Sequence, residues 1–193
     1  MGSWFRRNNT GDRSSDGDTG TIRALQGDIA SQCVDVVVNA ANERLGPGAG
    51  VAGAIIKAAG PGLLRECADS YPDGCPTGEA RVTGGHDLPA KWIVHTVGPQ
   101  WGGGTNGEPE LLADCYRNSL QAAAEIGAQT VAFPAISTGI FHYPREDAAR
   151  VAVSTIREFF AQNGHEINEV FLVAYDSEQL AIYERFLEAE EDS

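Results

Sequence analysis

Cations are scarce in this chain. Fourteen Lys and Arg face 27 Asp and Glu, a formal net charge of -13 over 193 residues. A surface of that sign repels nucleic-acid backbones and anionic membranes, which excludes general affinity for either. Cysteine is sparse as well. Cys33, Cys67, Cys75 and Cys115 include no C-x-x-C pair and match no structural zinc spacing, so the expectation is free thiols in a reducing compartment and no metal. No apolar run is long enough to cross a bilayer, and the start "MGSWFRRNNTGDRSSDGDTG" lacks the apolar stretch of a secretory signal. These absences predict a soluble, cytoplasmic protein with a disordered tail over 1–20 and one self-contained domain over 21–193, monomeric and large enough to bury a core without staples.

What is present alternates between two periods. "TIRALQGD" (21–28), "VDVVVNAA" (34–41), "EARVTGG" (79–85), "KWIVHTV" (91–97), "QTVAFPAI" (129–136) and "EVFLVAYD" (169–176) read as strands, several of them near-continuous apolar runs suited to a sheet covered on both faces. Helices are predicted over 50–60, 63–70, 109–126, from Pro144 to about Gln162, and over 177–191 with Ser177 as N-cap. Strand-helix alternation predicts a three-layer α/β/α fold with a largely parallel sheet. In such folds ligands bind outside the carboxyl ends of strands. The junctions after Gln26, Val38, Pro134 and Ala174 are therefore where chemistry is expected.

Gly48, Gly50 and Gly53 are spaced G-x-G-x-x-G, the dinucleotide fingerprint. That fingerprint needs its first glycine at the end of a strand, and here "AANERLGP" intervenes; the acidic residue expected about 20 positions on would be Glu66 or Asp69, within a helix. What remains is a glycine-rich loop feeding a helix N-terminus, which suits backbone amides around a phosphate. A second loop of the same character, "PAISTGIFHYP" (134–144), follows another strand. Ser137, Thr138 and Gly139 offer hydroxyls and close backbone approach, and Phe141 a flat apolar face. A flexible loop and an ordinary turn would satisfy the same letters singly; two such loops able to grip one diphosphate from both sides say more. Among the histidines, His95 reads as a core residue, His86 as part of a surface connection, and His142 as a candidate for the distal pocket.

The blocks "GDI" (27–29), "VVNAAN" (37–42), "GAGVAGAI" (48–55), "IVHTVGP" (93–99) and "AFPAISTGIFHYP" (132–144) closely resemble the macrodomain family, over roughly Thr21 to Glu188. "GCPTGEARVTGGHDLPAKWIVHTVGP" is similar to its MacroD-type branch and bacterial relatives. The resemblance implies a mixed, mostly parallel six-stranded sheet, binding of ADP-ribose, and hydrolysis of mono-ADP-ribosyl groups from acidic side chains of proteins or of O-acetyl-ADP-ribose, with no cofactor. By the same resemblance Asp28 accepts a hydrogen bond from the adenine amine, the Ile29 backbone lies beside the base, and Tyr175 packs on it. Asn42 contacts the distal ribose and orients the reacting end, while Asn39 is structural, tying the strand end to its loop. Gly48, Gly50 and Val51 approach the diphosphate and distal ribose from one side, and Ser137, Thr138, Gly139, Ile140 and Phe141 from the other.

One position departs from the pattern. The MacroD-type branch usually carries Val-Asp-Gly here, its Asp assigned to water, but this chain has Val51-Ala52-Gly53. Ala52 is no base, so hydrolysis would rest on the ligand's own proximal phosphate orienting the water, and a non-catalytic ADP-ribose reader is the alternative.

Overall fold

The computed structural model describes residues 20–162 and 165–189; of the tail expected over 1–20, residues 1–19 lie outside them. Six strands, β1 Thr21–Gln26, β2 Val36–Ala40, β3 Ala80–Gly84, β4 Trp92–Thr96, β5 Thr130–Phe133 and β6 Glu169–Ala174, form one sheet in the order β1-β6-β5-β2-β4-β3. All neighbouring pairs run parallel except β3 with β4. The sheet is thus largely parallel, as the periodicity predicts, and mixed through a single antiparallel edge, as the resemblance implies. β3 and β4 are joined by a short connection, "GHDLPAK", with no room for the helix a parallel crossover needs.

Five helices cover the two faces: α1 Gly50–Ala59, α2 Pro61–Ser70, α3 Glu108–Glu125, α4 Arg145–Phe160 and α5 Ser177–Glu188. Because Cβ atoms alternate across a strand, β2 sends Val36 and Val38 into a core shared with α3, α4 and α5, and Val37 into a second core with Ile55, Leu63 and Ile93 under α1 and α2. That two-sided burial is why the strand reads as an uninterrupted apolar run.

Helix starts differ in detail from the sequence reading. Asp176, one residue before Ser177, caps α5 by accepting from the Gln179 N–H (2.8 Å). Pro144 occupies the cap position of α4, which begins at Arg145. An additional 3-10 turn, Ile29–Ser31, is capped by Asp28, whose Oδ1 accepts from the Ala30 N–H (2.9 Å).

A buried polar group crosses the sheet beneath the loops. Asn39 Nδ2 lies 3.1 Å from His95 Nδ1, and His95 Nε2 lies 2.9 Å from Thr83 Oγ1. Asn39 therefore ties β2 to β4, where the sequence reading had it tie the strand end to its loop. Burial pushes the His95 imidazole down to about 4, so it is neutral at physiological pH and serves as the core residue expected.

Candidate functional site

The sheet order decides where the site forms. β2 pairs with β5, so the loops that leave their carboxyl ends lie side by side; β1 pairs with β6, which sets Asp28 beside Tyr175 at the other end of the same rim. Between them opens a cleft of about 760 Å³, within the range of small-molecule sites. Its wall includes residues from all four strand-end junctions named from the sequence, though β2 runs on to Ala40, two residues past Val38.

The first jaw is the β2–α1 loop. Asn42 holds it together: its Oδ1 accepts from the Arg44 and Gly46 N–H groups (3.1 Å each), and its Nδ2 donates to Gly46 O (3.2 Å) and Pro47 O (3.0 Å). All four hydrogen-bonding positions of the amide are thereby used inside the loop. Gly48 then passes so close to α1 that a Cβ on it would sit 2.9 Å from the Ala52 Cβ, and one on Gly53 would sit 2.8 Å from Gly48 O. The G-x-G-x-x-G spacing is thus a packing device between loop and helix. Gly50 opens α1 at φ 56°, no side chain caps the helix, and the first helical bond is Gly53 N–H to Ala49 O at 3.3 Å. The N–H groups of Gly50, Val51 and Ala52 are left at the positive end of the helix dipole, which favours an anion.

The second jaw is the β5–α4 loop. Ser137 adopts a left-handed backbone (φ 66°), is only 6% exposed, and its Oγ finds no hydrogen-bond partner among the described residues. Strain of this kind in a non-glycine residue, joined to an unpaired hydroxyl, marks a site held ready for something else. The loop closes on itself through Tyr143 N–H to Ser137 O and His142 N–H to Gly139 O (3.0 Å each), and Thr138 Oγ1 donates to Ala135 O (2.9 Å). The N–H groups of Ser137, Gly139, Ile140 and Phe141 have no partner among the described residues. Ile140 stands 77% exposed at the rim.

Every residue the sequence placed in the site lines this cleft: Asp28, Ile29 and Tyr175 at one end; Asn42, Gly48, Gly50, Val51 and Ala52 on the first jaw; Ser137, Thr138, Gly139, Ile140 and Phe141 on the second. His142 does not, and it faces solvent beside the loop at φ 56°. His86 lies exposed in its connection and pairs with Glu66 at 2.6 Å. Asp28 spends Oδ1 on its turn and keeps Oδ2 without a partner among the described residues. Tyr175, 85% exposed, projects its ring at the rim.

Three polar wall residues escaped the sequence reading: Arg145, Asp176 and Gln179. Among the described residues Arg145 is the only Lys or Arg in the wall, and its Nη1 donates to both Asp176 oxygens (3.0 Å each) and to Glu178 Oε2 (3.2 Å). The Gln179 N–H, and then Arg145, hold the Asp176 carboxyl below its ordinary range. Gln179 is 3% exposed, and neither of its amide atoms has a partner among the described residues. The apolar stripe of a helix gives no warning of a buried amide; the one available signal was the Asp-x-x-Gln spacing at the start of α5. Among the described residues, no group of three or more His, Cys, Asp or Glu side chains could hold a metal ion, and the four cysteines are unpaired.

The groups that the two jaws offer between them are neutral, backbone N–H groups and hydroxyls, in a protein of net charge -13. The family model of the Macro domain matches residues 38–152. The chain belongs to the macrodomain family. A macro domain-containing protein of Methanosarcina mazei is 55% identical over 81% of this chain and 82% of its own length. The O-acetyl-ADP-ribose deacetylase of Escherichia coli K12 is 50% identical over 89% of this chain and 97% of its own. Among solved structures, a mutant Oceanobacillus iheyensis macrodomain with ADPR superposes with a TM-score of 0.85 at 38% identity, over 91% of this chain and 96% of that one. The matched macrodomain segment contains both jaws, and the fold described here continues beyond it on both sides, from β1 to α5.

Proposed function

We propose that this macrodomain binds ADP-ribose in the cleft and hydrolyses esters of its distal ribose, releasing acetate from O-acetyl-ADP-ribose and carboxylate side chains from mono-ADP-ribosylated proteins. The observation that carries the reading is the pair of facing jaws whose N–H groups, those of Gly50, Val51 and Ala52 on one side and of Ser137, Gly139, Ile140 and Phe141 on the other, have no partner among the described residues and offer a diphosphate a neutral clamp. Resemblance to a relative that bears the name O-acetyl-ADP-ribose deacetylase supports the ester substrate, and the ADPR-bound neighbour supports the ligand.

In this reading the adenine lies between Ile29 and Tyr175, with the free Asp28 oxygen accepting from its exocyclic amine. The distal ribose lies between Asn42 and Phe141. Asn42 acts first through the loop it holds, since a ribose hydroxyl gains its amide only by displacing one of the four loop contacts, and the 3.2 Å bond to Gly46 O is the longest. The water that breaks the ester is oriented by the ligand's phosphate nearest the distal ribose, because the side chain at 52 is a methyl group; a carboxylate ester leaves readily, which lowers what the protein must supply. That same methyl group favours the second reading, a non-catalytic ADP-ribose reader.

Calorimetry with ADP-ribose, paired with release of acetate from O-acetyl-ADP-ribose and of ADP-ribose from a protein modified on Glu or Asp, separates these. The expected result is binding plus release well above that of Asn42→Ala. Binding with release no higher than that variant leaves the reader, and no binding removes both.

A further inference from the structure

The loop that leaves β4, residues 97–107, belongs to neither jaw, yet it reaches across the end of β2 to the back of the second one. Gly98 lies so near Ser137 that a Cβ there would stand 2.2 Å from the Ser137 Oγ. The Trp101 N–H donates to Phe141 O (2.9 Å), and the Trp101 ring packs on Tyr143 with centroids 4.5 Å apart. These three contacts brace the jaw, the first from within the cleft wall and the other two from outside it. A loop of this composition, "WGGGTNG", has no stiffness of its own.

Its stiffness comes from one side chain. Glu108, the first residue of α3 and 3% exposed, accepts from the N–H groups of Gly102 (2.9 Å), Gly104 (3.3 Å) and Asn106 (2.6 Å), and from Asn106 Nδ2 (3.4 Å). The loop is wound around a carboxylate as around an anion in a nest. Gly104, at φ 80°, lies against the Trp101 ring, where a Cβ would sit 2.8 Å from its edge, so the winding around Glu108 also fixes where the indole stands. The carboxyl is held down to about 2, by its own N–H first and then by those of Asn106, Gly102 and Gly104.

We propose that Glu108 is a positioning residue for this cleft: through loop 97–107 it holds Trp101 against the Phe141 loop and so sets the geometry at the distal-ribose end without touching the ligand. The inference rests on the reading of the cleft given above. It makes a prediction that loss of packing alone would not, because the brace bears on one end of the ligand. ADP, which lacks the distal ribose but keeps the diphosphate that the same jaw holds, should lose less affinity than ADP-ribose, and the reaction should lose most.

The experiment uses the full chain as wild type, Glu108→Gln, Trp101→Ala and the double variant, each first shown to be folded by its thermal melt. Calorimetry with ADP and ADP-ribose and steady-state release of acetate from O-acetyl-ADP-ribose are then compared. Expected for Glu108→Gln are ADP affinity within about twofold of wild type, ADP-ribose affinity lower by about fivefold, and kcat lower by about tenfold or more, as displacements of ångström size at a reacting centre cost. Trp101→Ala should give the same pattern. The double variant should be little worse than either single one, because both act through one brace. Equal losses for ADP and ADP-ribose, additive losses in the double variant, or unchanged ADP-ribose affinity and kcat in folded Glu108→Gln overturn the proposal. A wild type that binds ADP-ribose but releases no acetate overturns the hydrolase reading alone and leaves the two affinities to decide this one; a wild type that binds neither nucleotide overturns both.

Discussion

Ala52 is the residue on which the chemistry turns. Its methyl group, 7% exposed, fills the gap left by Gly48 and borders the cleft at the first turn of α1. A carboxylate there would be well placed by the helix dipole, since acidic groups are stabilised at helix N-termini, and general-base assistance is worth about 10² to 10⁴ in rate. Ala52→Asp is therefore expected to raise kcat for ester release at least tenfold while weakening ADP-ribose binding, through repulsion of the diphosphate. Single-turnover and binding measurements on the two proteins check it, and an unchanged or lower kcat would assign the water entirely to the ligand's phosphate. The absence of an acid at 52 was visible in the sequence. That Asn42 spends all four hydrogen-bonding positions within its own loop was not, because an amide's partners are backbone groups and leave no trace in residue type.

At the scale of elements, the loop before α1 is a structure in its own right, with Asn42 as its hub. Removing that hub with Asn42→Ala leaves the Arg44 and Gly46 N–H groups and two carbonyls to find water, at about 1–3 kcal/mol where such groups are buried. The expected outcome is loss of ADP-ribose binding by more than tenfold with a modest drop in melting temperature; amide hydrogen exchange should show the change confined to residues 43–53. Strand and helix placement was legible because β-branched runs and helical stripes have different periods. The direction of β3 was not legible from period alone, and neither was the cap of α5, where Ser177 and Asp176 are both good caps and only the backbone geometry selects Asp176. Sequence also left Arg145 and Gln179 out of the cleft, since each joins it only through the adjacency of β5 and β6.

For the whole molecule, the buried polar crossing of the sheet sets the response to acid. His95, with an ordinary value of 6.5, is pushed down to about 4 in the fold, so the unfolded chain binds the proton more readily than the folded one. The stability this represents is fully present above pH 6.5 and is lost as pH falls through 4, on the order of 3 kcal/mol. Glu108 adds the carboxylate counterpart: held down to about 2 from 4.5, its contribution is present above pH 4.5 and fades as pH falls toward 2. Urea melts between pH 7 and pH 4 should thus show a continuous loss of stability that begins above the usual carboxylate range. His95→Gln, which keeps an amide beside Asn39 and Thr83, should remove the part of the slope between pH 6.5 and 4.5.

The clamp of neutral N–H groups also governs how a ligand arrives. A dianion approaching a protein of charge -13 is slowed by the long-range field, and Arg145, the one cation of the cleft wall among the described residues, is already shared between Asp176 and Glu178. Attraction begins only within the short reach of the peptide dipoles. Added salt screens the repulsion over distances beyond about 8–10 Å while leaving those close contacts nearly intact. Ionic strength should therefore speed the capture of ligand by this protein, the reverse of its effect on a site built from lysine and arginine.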